Sequence, residues 1–223
     1  MSDTGQRNET DLFKKVGETL ARYPELMRPI PKGLILYRVQ PSRYDGAPIH
    51  YRRESDTRYA DPRHEVGVKY LGFSPEVAVA ESFQSGQDVD DQPVRISLLR
   101  QSSIHRLRAF RDLSLVDVAG LANRATSHKL RHLIQAKGQG REGYALTRIF
   151  SQACMKQGNH IDGLLYPSAV YSPSGTLDGC NVVLFEGRSS QLASLDCLPV
   201  SQMRLSNGES VYEFLDSLGV AME

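Results

Sequence analysis

Hydrophobic and polar positions change rhythm inside one stretch of the chain, VKYLGFSPEVAVAESFQ, residues 68–84. Residues 68–73 are β-branched, aromatic and apolar with few breakers, which predicts a strand. Ser74-Pro75 then ends the strand and opens a helix. Ser74 can cap, Pro75 fits the first helical position, and Glu76 suits the positive end of the helix dipole. The helix over 77–83 is apolar nearly all round, so it should be buried. Glu81 breaks that pattern. A carboxylate there is costly unless something pairs it. Two readings follow: a structural ion pair with an arginine, or the working acid of an active site.

The same patterning divides the rest of the chain. Polar residues 1–10 predict a frayed start, and Leu12, Phe13, Val16 and Leu20 form a helical stripe that ends near Tyr23-Pro24. Residues 33–39 read as a strand with Leu34, Leu36 and Arg38 on one face and Ile35, Tyr37 and Val39 on the other. Arg38 therefore either snorkels at an edge or faces an anion. Residues 40–67 form a long polar segment in which Arg43, Arg52, Arg53, Arg58 and Arg63 alternate with Tyr44, Tyr51 and Tyr59. Its acids offset most of the charge, which predicts a solvated loop. Arg58, in TRYADP just before the next strand, is the exception and a candidate anion ligand.

Further strands are predicted over 94–99, 104–110 and 113–118, and a short helix around Leu130, Leu133 and Ile134. His128 and His132 stand one helical turn apart, a spacing that can seat a metal, yet no third ligand is near and a solvated helix face is expected. Residues 144–157 carry the helical stripe Leu146, Ile149, Phe150, Ala153 and Cys154, ended by Gly158. A strand over 161–166 runs into Pro167-Ser168. Strands at 181–185 and 200–205 and an amphipathic helix at 210–218 complete the chain. Ser168 ends a strand outside any G-x-S-x-G elbow, so it is not read as an acylating nucleophile. The chain has no repeat, no P-loop and no Gly-rich dinucleotide fingerprint.

Composition narrows the class. With 223 residues, 40% hydrophobic and 24% charged, the chain reads as one soluble domain or a domain with extensions. No apolar run approaches a membrane span, and the N-terminal residues lack signal-peptide features. Three scattered cysteines suit a reducing cytoplasm and form neither a disulfide framework nor a zinc pattern. The net charge of +1 excludes the whole-chain footprint of a nucleic-acid binder.

Five motifs in order carry a family resemblance: LYRV with Arg38, TRYADP with Arg58, VKYLGFSPEVAVAESF with Tyr70 and Glu81, YALTRIFSQAC, and DGLLYPS with Ser168 followed by NVVLF. Together they resemble the RES-domain toxins, over about residues 33–185. Ala169-Val170 stand where many relatives carry a basic residue. The resemblance implies an α+β fold like that of ADP-ribosyltransferases, with a bent or split sheet around an NAD cleft and flanking helices. A helical arm at 1–32, a RES domain at 33–205 and a C-terminal helix at 206–223 are the expected divisions. It implies the toxin of a bacterial toxin–antitoxin pair that consumes NAD+ without a metal. The expected partner is an Xre-like antitoxin, through which alone nucleic acid would be reached. By position, Arg38 and Arg58 would hold the phosphates or ribose of NAD+. Tyr70 would pack near the nicotinamide or its ribose, Glu81 would be the catalytic acid, and Ser168 a pocket hydrogen-bonder.

These residue types suit that chemistry. Nicotinamide leaves NAD+ neutral, while positive charge develops on the ribose as in an oxocarbenium-like transition state. A preorganised carboxylate stabilises that charge, and guanidinium forks grip a pyrophosphate. Water as acceptor gives a glycohydrolase, phosphate a phosphorylase, and a protein side chain an ADP-ribosyltransferase. The donor residues are common to all three. The expectation is NAD+ degradation, with modification of a protein acceptor as the alternative and a non-catalytic binding module as a second.

Overall fold

A computed structural model of the protein describes residues 3–84, 93–124, 144–171 and 177–223. His128, His132 and the short helix expected near them lie outside the described residues. The strands are β1 (Met27–Ile30), β2 (Ile35–Pro41), β3 (Val68–Gly72), β4 (Ser102–Ala109), β5 (Leu113–Asp117), β6 (Gly163–Pro167), β7 (Cys180–Phe185) and β8 (Leu192–Pro199). The helices are α1 (Asp3–Arg22), α2 (Pro75–Phe83), α3 (Ile96–Arg100), α4 (Val118–Arg124), α5 (Ala145–Met155) and α6 (Val211–Ser217). The class is α+β, as the sequence predicts. Among the described residues, no helix is long and apolar enough to cross a membrane.

These eight strands join one curled sheet in the order β1-β5-β6-β7-β3-β2-β4-β8. Among them β5 and β6 run parallel; the other pairings are antiparallel. The ladder is narrowest at its middle, where β2 and β3 share the single registered pair Tyr37↔Gly72. On its other side β2 pairs with β4 from Ile35↔Arg108 to Pro41↔Ser102.

The curl has a physical basis in side-chain alternation. Ile30, Leu36, Leu71, Leu107, Leu115, Leu165, Val182, Leu184 and Leu192 come from all eight of these strands and pack into one core, with no helical residue among its described buried members. The sheet thus closes on its own inner face. The alternate residues build two outer clusters. One gathers Val68, Val116, Leu164, Val183 and Phe185 of the sheet with Val16 of α1, Leu121 of α4 and Phe150 of α5. The other gathers Val79 and Phe83 of α2 with Ile104, Leu99 of α3 and Phe214 of α6.

Several local expectations need correction. Residues 94–99 are not a strand: Val94 makes one bridge to Met222, and Ile96–Arg100 is helical. Leu99 is buried and Leu98 exposed, so the apparent alternation through Leu98 does not mark a sheet face. Residues 200–205 are not a strand either. Val200–Gln202 is a 3-10 turn, and the strand precedes it as β8. Residues 3–10, expected to be a frayed lead-in, belong to α1, which begins at Asp3. The polar segment 40–67 is less solvated than its composition implies. Tyr59, Ala60 and Asp61 are buried, and Asp61 accepts from the backbone N–H groups of Arg63, Glu65 and Val66.

Lys69 of β3 carries a buried amine on the inner side of the sheet, 1% exposed. Its Nζ donates to the Pro48 carbonyl at 2.6 Å and lies 5.2 Å from the Tyr51 ring. Burial, and then the neighbouring Arg38 charge, push its pKa down to about 6. Between that value and the ordinary lysine value of 10.5, the unfolded chain holds a proton that the folded chain has shed. Stability therefore rises with pH across this window, and the full penalty stands below it.

The packing at two positions can be tested by substitution. A Cβ at Gly163 would lie 1.9 Å from the Val183 carbonyl oxygen. Gly163→Ala is expected to cost roughly 2–3 kcal/mol by overpacking, read as a lowered denaturation midpoint. Lys69→Met is expected to gain stability relative to wild type most at pH 6 and progressively less toward pH 10. Parallel urea titrations would check this, and a gap independent of pH would contradict it.

Candidate active site

The strand-to-helix turn forms as its sequence dictates. Ser74 caps α2, its Oγ accepting from Val77 N at 3.2 Å while donating to the Asp178 carbonyl at 2.7 Å. Gly72 lets α2 approach β3 closely, since a Cβ there would sit 2.8 Å from the Ala78 nitrogen. Val77, Val79 and Ala80 are fully buried, and Glu76 closes a contact with the chain's C-terminal part by accepting from Ser206 N. Glu81, one turn beyond Val77, is half-buried at the margin of this helix.

Two side chains converge on one oxygen of Glu81. Ser168 Oγ and Asn181 Nδ2 each donate to its Oε1 at 2.7 Å. Ser168 follows directly after β6, and Asn181 lies on β7; both are buried. Ser168 Oγ also accepts from the backbone N–H groups of Val170 and Tyr171, at 3.2 and 3.0 Å. With its acceptor capacity engaged there, its one hydroxyl proton is directed to the carboxylate. The sequence marks Ser168 but not Asn181. The available signal is a lone amide at the head of the apolar strand NVVLF.

An aromatic wall stands beside this triad. Asn181 is the cross-strand partner of Tyr166 on β6 and of Gly72 on β3. The Tyr166 ring lies 4.7 Å from that of Tyr59, tilted at 53°. Arg58 sits over both, its guanidinium carbon 5.3 Å from the Tyr59 ring centre and 5.9 Å from that of Tyr166. Burial drives the Tyr166 hydroxyl well above its usual range, the Glu81 charge adds to the rise, and Arg58 opposes it. Glu81 and Arg58 thus act on the same ring from within electrostatic reach.

Tyr70 of β3 supports Arg58 from behind. Its hydroxyl accepts from Tyr59 N at 2.8 Å and so fixes the backbone next to Arg58. Ser151 of α5 holds the same residue from the other side, donating to the Tyr59 carbonyl at 2.8 Å. Burial raises the Tyr70 hydroxyl far above its ordinary value and the Tyr59 hydroxyl to about 12, so both stay protonated.

Glu81, Ser168, Tyr70 and Arg58 are therefore brought to one outer region, linked through Tyr59 and Tyr166. Arg38 goes elsewhere. Its guanidinium donates to the carbonyls of Pro48 and His50, at 3.2 and 3.1 Å. It shares the Pro48 carbonyl with Lys69, which alternates with Tyr70 along β3 and so projects to the other side of the sheet. Burial lowers its pKa from the ordinary value.

Comparison with known proteins agrees with this architecture. A search of curated sequences finds no match. In structure the chain is similar to a chain of the M. tuberculosis MbcT–MbcA toxin–antitoxin complex. The TM-score is 0.53 at 15% identity, covering 93% of this chain and 97% of that one. At such low identity the likeness is one of fold. The family model for the RES domain matches residues 35–206, the greater part of the chain. The chain belongs to the RES domain family.

Proposed function

We propose that this protein is the toxin of a bacterial toxin–antitoxin pair and that it degrades NAD+ by breaking the nicotinamide–ribose bond. The observation that carries this reading is the Glu81 carboxylate, fixed through Oε1 by Ser168 and Asn181 beside the Arg58-capped tyrosine wall. A carboxylate whose orientation is set before substrate arrives costs no reorganisation when positive charge grows on a ribose. Glu81 is the charge stabiliser in this scheme, and Ser168 and Asn181 are positioning residues. Arg58 offers a fork to the pyrophosphate, and the buried Tyr59 and Tyr166 rings pack against its guanidinium and hold it in place. Tyr70 contributes by holding the Tyr59 backbone and thereby Arg58. Arg38 contributes through the loop whose carbonyls it binds. An Xre-like antitoxin is the proposed partner, the cytoplasm the proposed compartment, and no metal enters the scheme.

Incubating the purified protein with NAD+ and following free nicotinamide tests this function. Release with free ADP-ribose, or with a phosphorylated product when phosphate is present, supports degradation. Release only with an added protein that becomes labelled would replace degradation by protein modification. No release under any of these conditions, with antitoxin-free protein, would overturn the enzymatic reading.

Glu81→Gln is expected to keep the fold and most of the NAD+ affinity while losing roughly 10²–10³-fold in turnover. Nicotinamide release at the wild-type rate would remove Glu81 from the role. Ser168→Ala is expected to lower turnover less severely and to cost about 1–3 kcal/mol of stability, because two backbone amides lose their acceptor. Calorimetry alongside the assay separates those effects. Arg58→Ala is expected to weaken NAD+ binding more than Arg38→Ala does; titrations ranking them in the opposite order would contradict this division of labour between the two arginines.

A further inference from the structure

A second set of side chains converges well away from Glu81, at β4 and β8. His105 and Cys197 are direct cross-strand partners there, so their side chains leave the sheet on the same side. Asp45 reaches them from the segment after β2, held by Ser103, whose Oγ donates to Asp45 Oδ2 at 2.8 Å. One ligand-type atom from each of Asp45, His105 and Cys197 lies within 4.8 Å of the other two. His105 is 1% exposed, whereas Cys197 is exposed and Asp45 partly so. An ion could therefore enter from solvent and end on a buried imidazole.

The hydrogen bonding around His105 contains a mismatch. His105 Nε2 lies 3.0 Å from Asp45 Oδ1, a pure acceptor, and 3.1 Å from Gln40 Nε2, a donor. One ring nitrogen cannot donate to the first and accept from the second. Turning the Gln40 amide over does not help. The same Nε2 donates to the Tyr44 carbonyl at 2.8 Å, and the turned amide would set two acceptors face to face there. A cation between His105 Nε2 and Asp45 Oδ1 would take a lone pair from each, with Gln40 keeping its bond to the Tyr44 carbonyl.

The geometry points to a site for a borderline divalent transition ion of the Zn2+ type, ligated by Asp45, His105 and Cys197 with water completing the shell. One sulfur, one nitrogen and one oxygen suit zinc or cobalt, whereas calcium and magnesium take oxygen ligands. Zinc bond lengths of about 2.0 Å to N and O and 2.3 Å to S would set the ligand atoms roughly 3.3–3.7 Å apart. Asp45 Oδ1 already lies 3.0 Å from His105 Nε2, so most of the adjustment falls to the exposed Cys197 thiol. On binding, the thiol proton passes to solvent and the thiolate bonds to the metal, with no change of oxidation state.

The site has a structural consequence. Arg38 is the β2 cross-strand partner of His105. The carbonyls that hold Arg38 belong to the same segment as Asp45. A bound ion would lock that segment onto β4 and β8 and fix the surroundings of Arg38. Nothing in this assignment depends on the NAD+ chemistry at Glu81.

Titrating chelator-stripped, full-length protein with Co2+ tests the site directly. One equivalent is expected to produce a near-ultraviolet thiolate-to-cobalt charge-transfer band, with Zn2+ displacing it and raising the Tm. Cys197→Ser is expected to abolish the band and weaken binding by more than the roughly tenfold that even an outer-shell loss costs. Asp45→Asn should keep the band at lower affinity. Cys180→Ser should behave as wild type. Absence of the band in folded wild-type protein, or its survival in Cys197→Ser, would overturn the assignment. Both ligand variants change accessible side chains, so circular dichroism can confirm their fold without altering buried His105.

Discussion

The junction of Ser168 and Asn181 on a single oxygen of Glu81 ties together the elements around the site. It joins α2, the end of β6 and the start of β7 through two bonds to a carboxylate. Bonds to a charged group contribute about 1.5–3 kcal/mol each, more than neutral ones. The acid therefore has a defined direction as well as a location. The surrounding order follows from this constraint. Ser74 must cap α2 where it does, Gly72 must admit the helix to β3, and Ser168 must be turned by the Val170 and Tyr171 amides.

The sheet makes room for that junction by satisfying its inner face alone. Strand residues fill the inner core without helical help, which leaves the outer face to two helical groups. One of those groups carries the aromatic side chains beside the Glu81 junction. Tyr70 and Tyr166 join it from the sheet and Tyr59 from the segment before β3. That segment, polar in composition, is anchored by Asp61, Ser151 and Gln152 and behaves as framework.

Much of this is legible in the residues themselves. The change from strand to helical periodicity at Ser74-Pro75 places β3 and α2, and the acid breaking an apolar helix singles out Glu81. Ser168 is marked by its place at a strand end. Asn181 is not, because an amide at the head of an apolar strand looks like ordinary edge polarity until its cross-strand neighbours are known. β8 escapes for a related reason. Its residues from Ser194 to Leu198 are exposed, so no buried face imposes alternation on the sequence. The helix at Ile96–Arg100 is disguised because Val94, Ile96 and Leu98 mimic a period of two. Arg38 belongs to its leucine row as the alternation indicates, but which side of the sheet that row faces depends on long-range packing that no local pattern records. Asp45, His105 and Cys197 come from three distant segments, so their ligand set has no spacing signature.

The lone Tyr37↔Gly72 rung between β2 and β3 gives the molecule one soft direction. Backbone ladders resist sliding along most of the sheet, but at this seam resistance falls to side chains and to α2, which packs against both β2 and β3. A small rotation of the β2-β4-β8 half would sacrifice little hydrogen bonding. Its load would pass through α2 to the Glu81 carboxylate, whose two donors belong to the opposite half. A force applied at the distant rim of β8 therefore has a mechanical route to the acid, and the orientation of its carboxylate could be slackened without anything touching it.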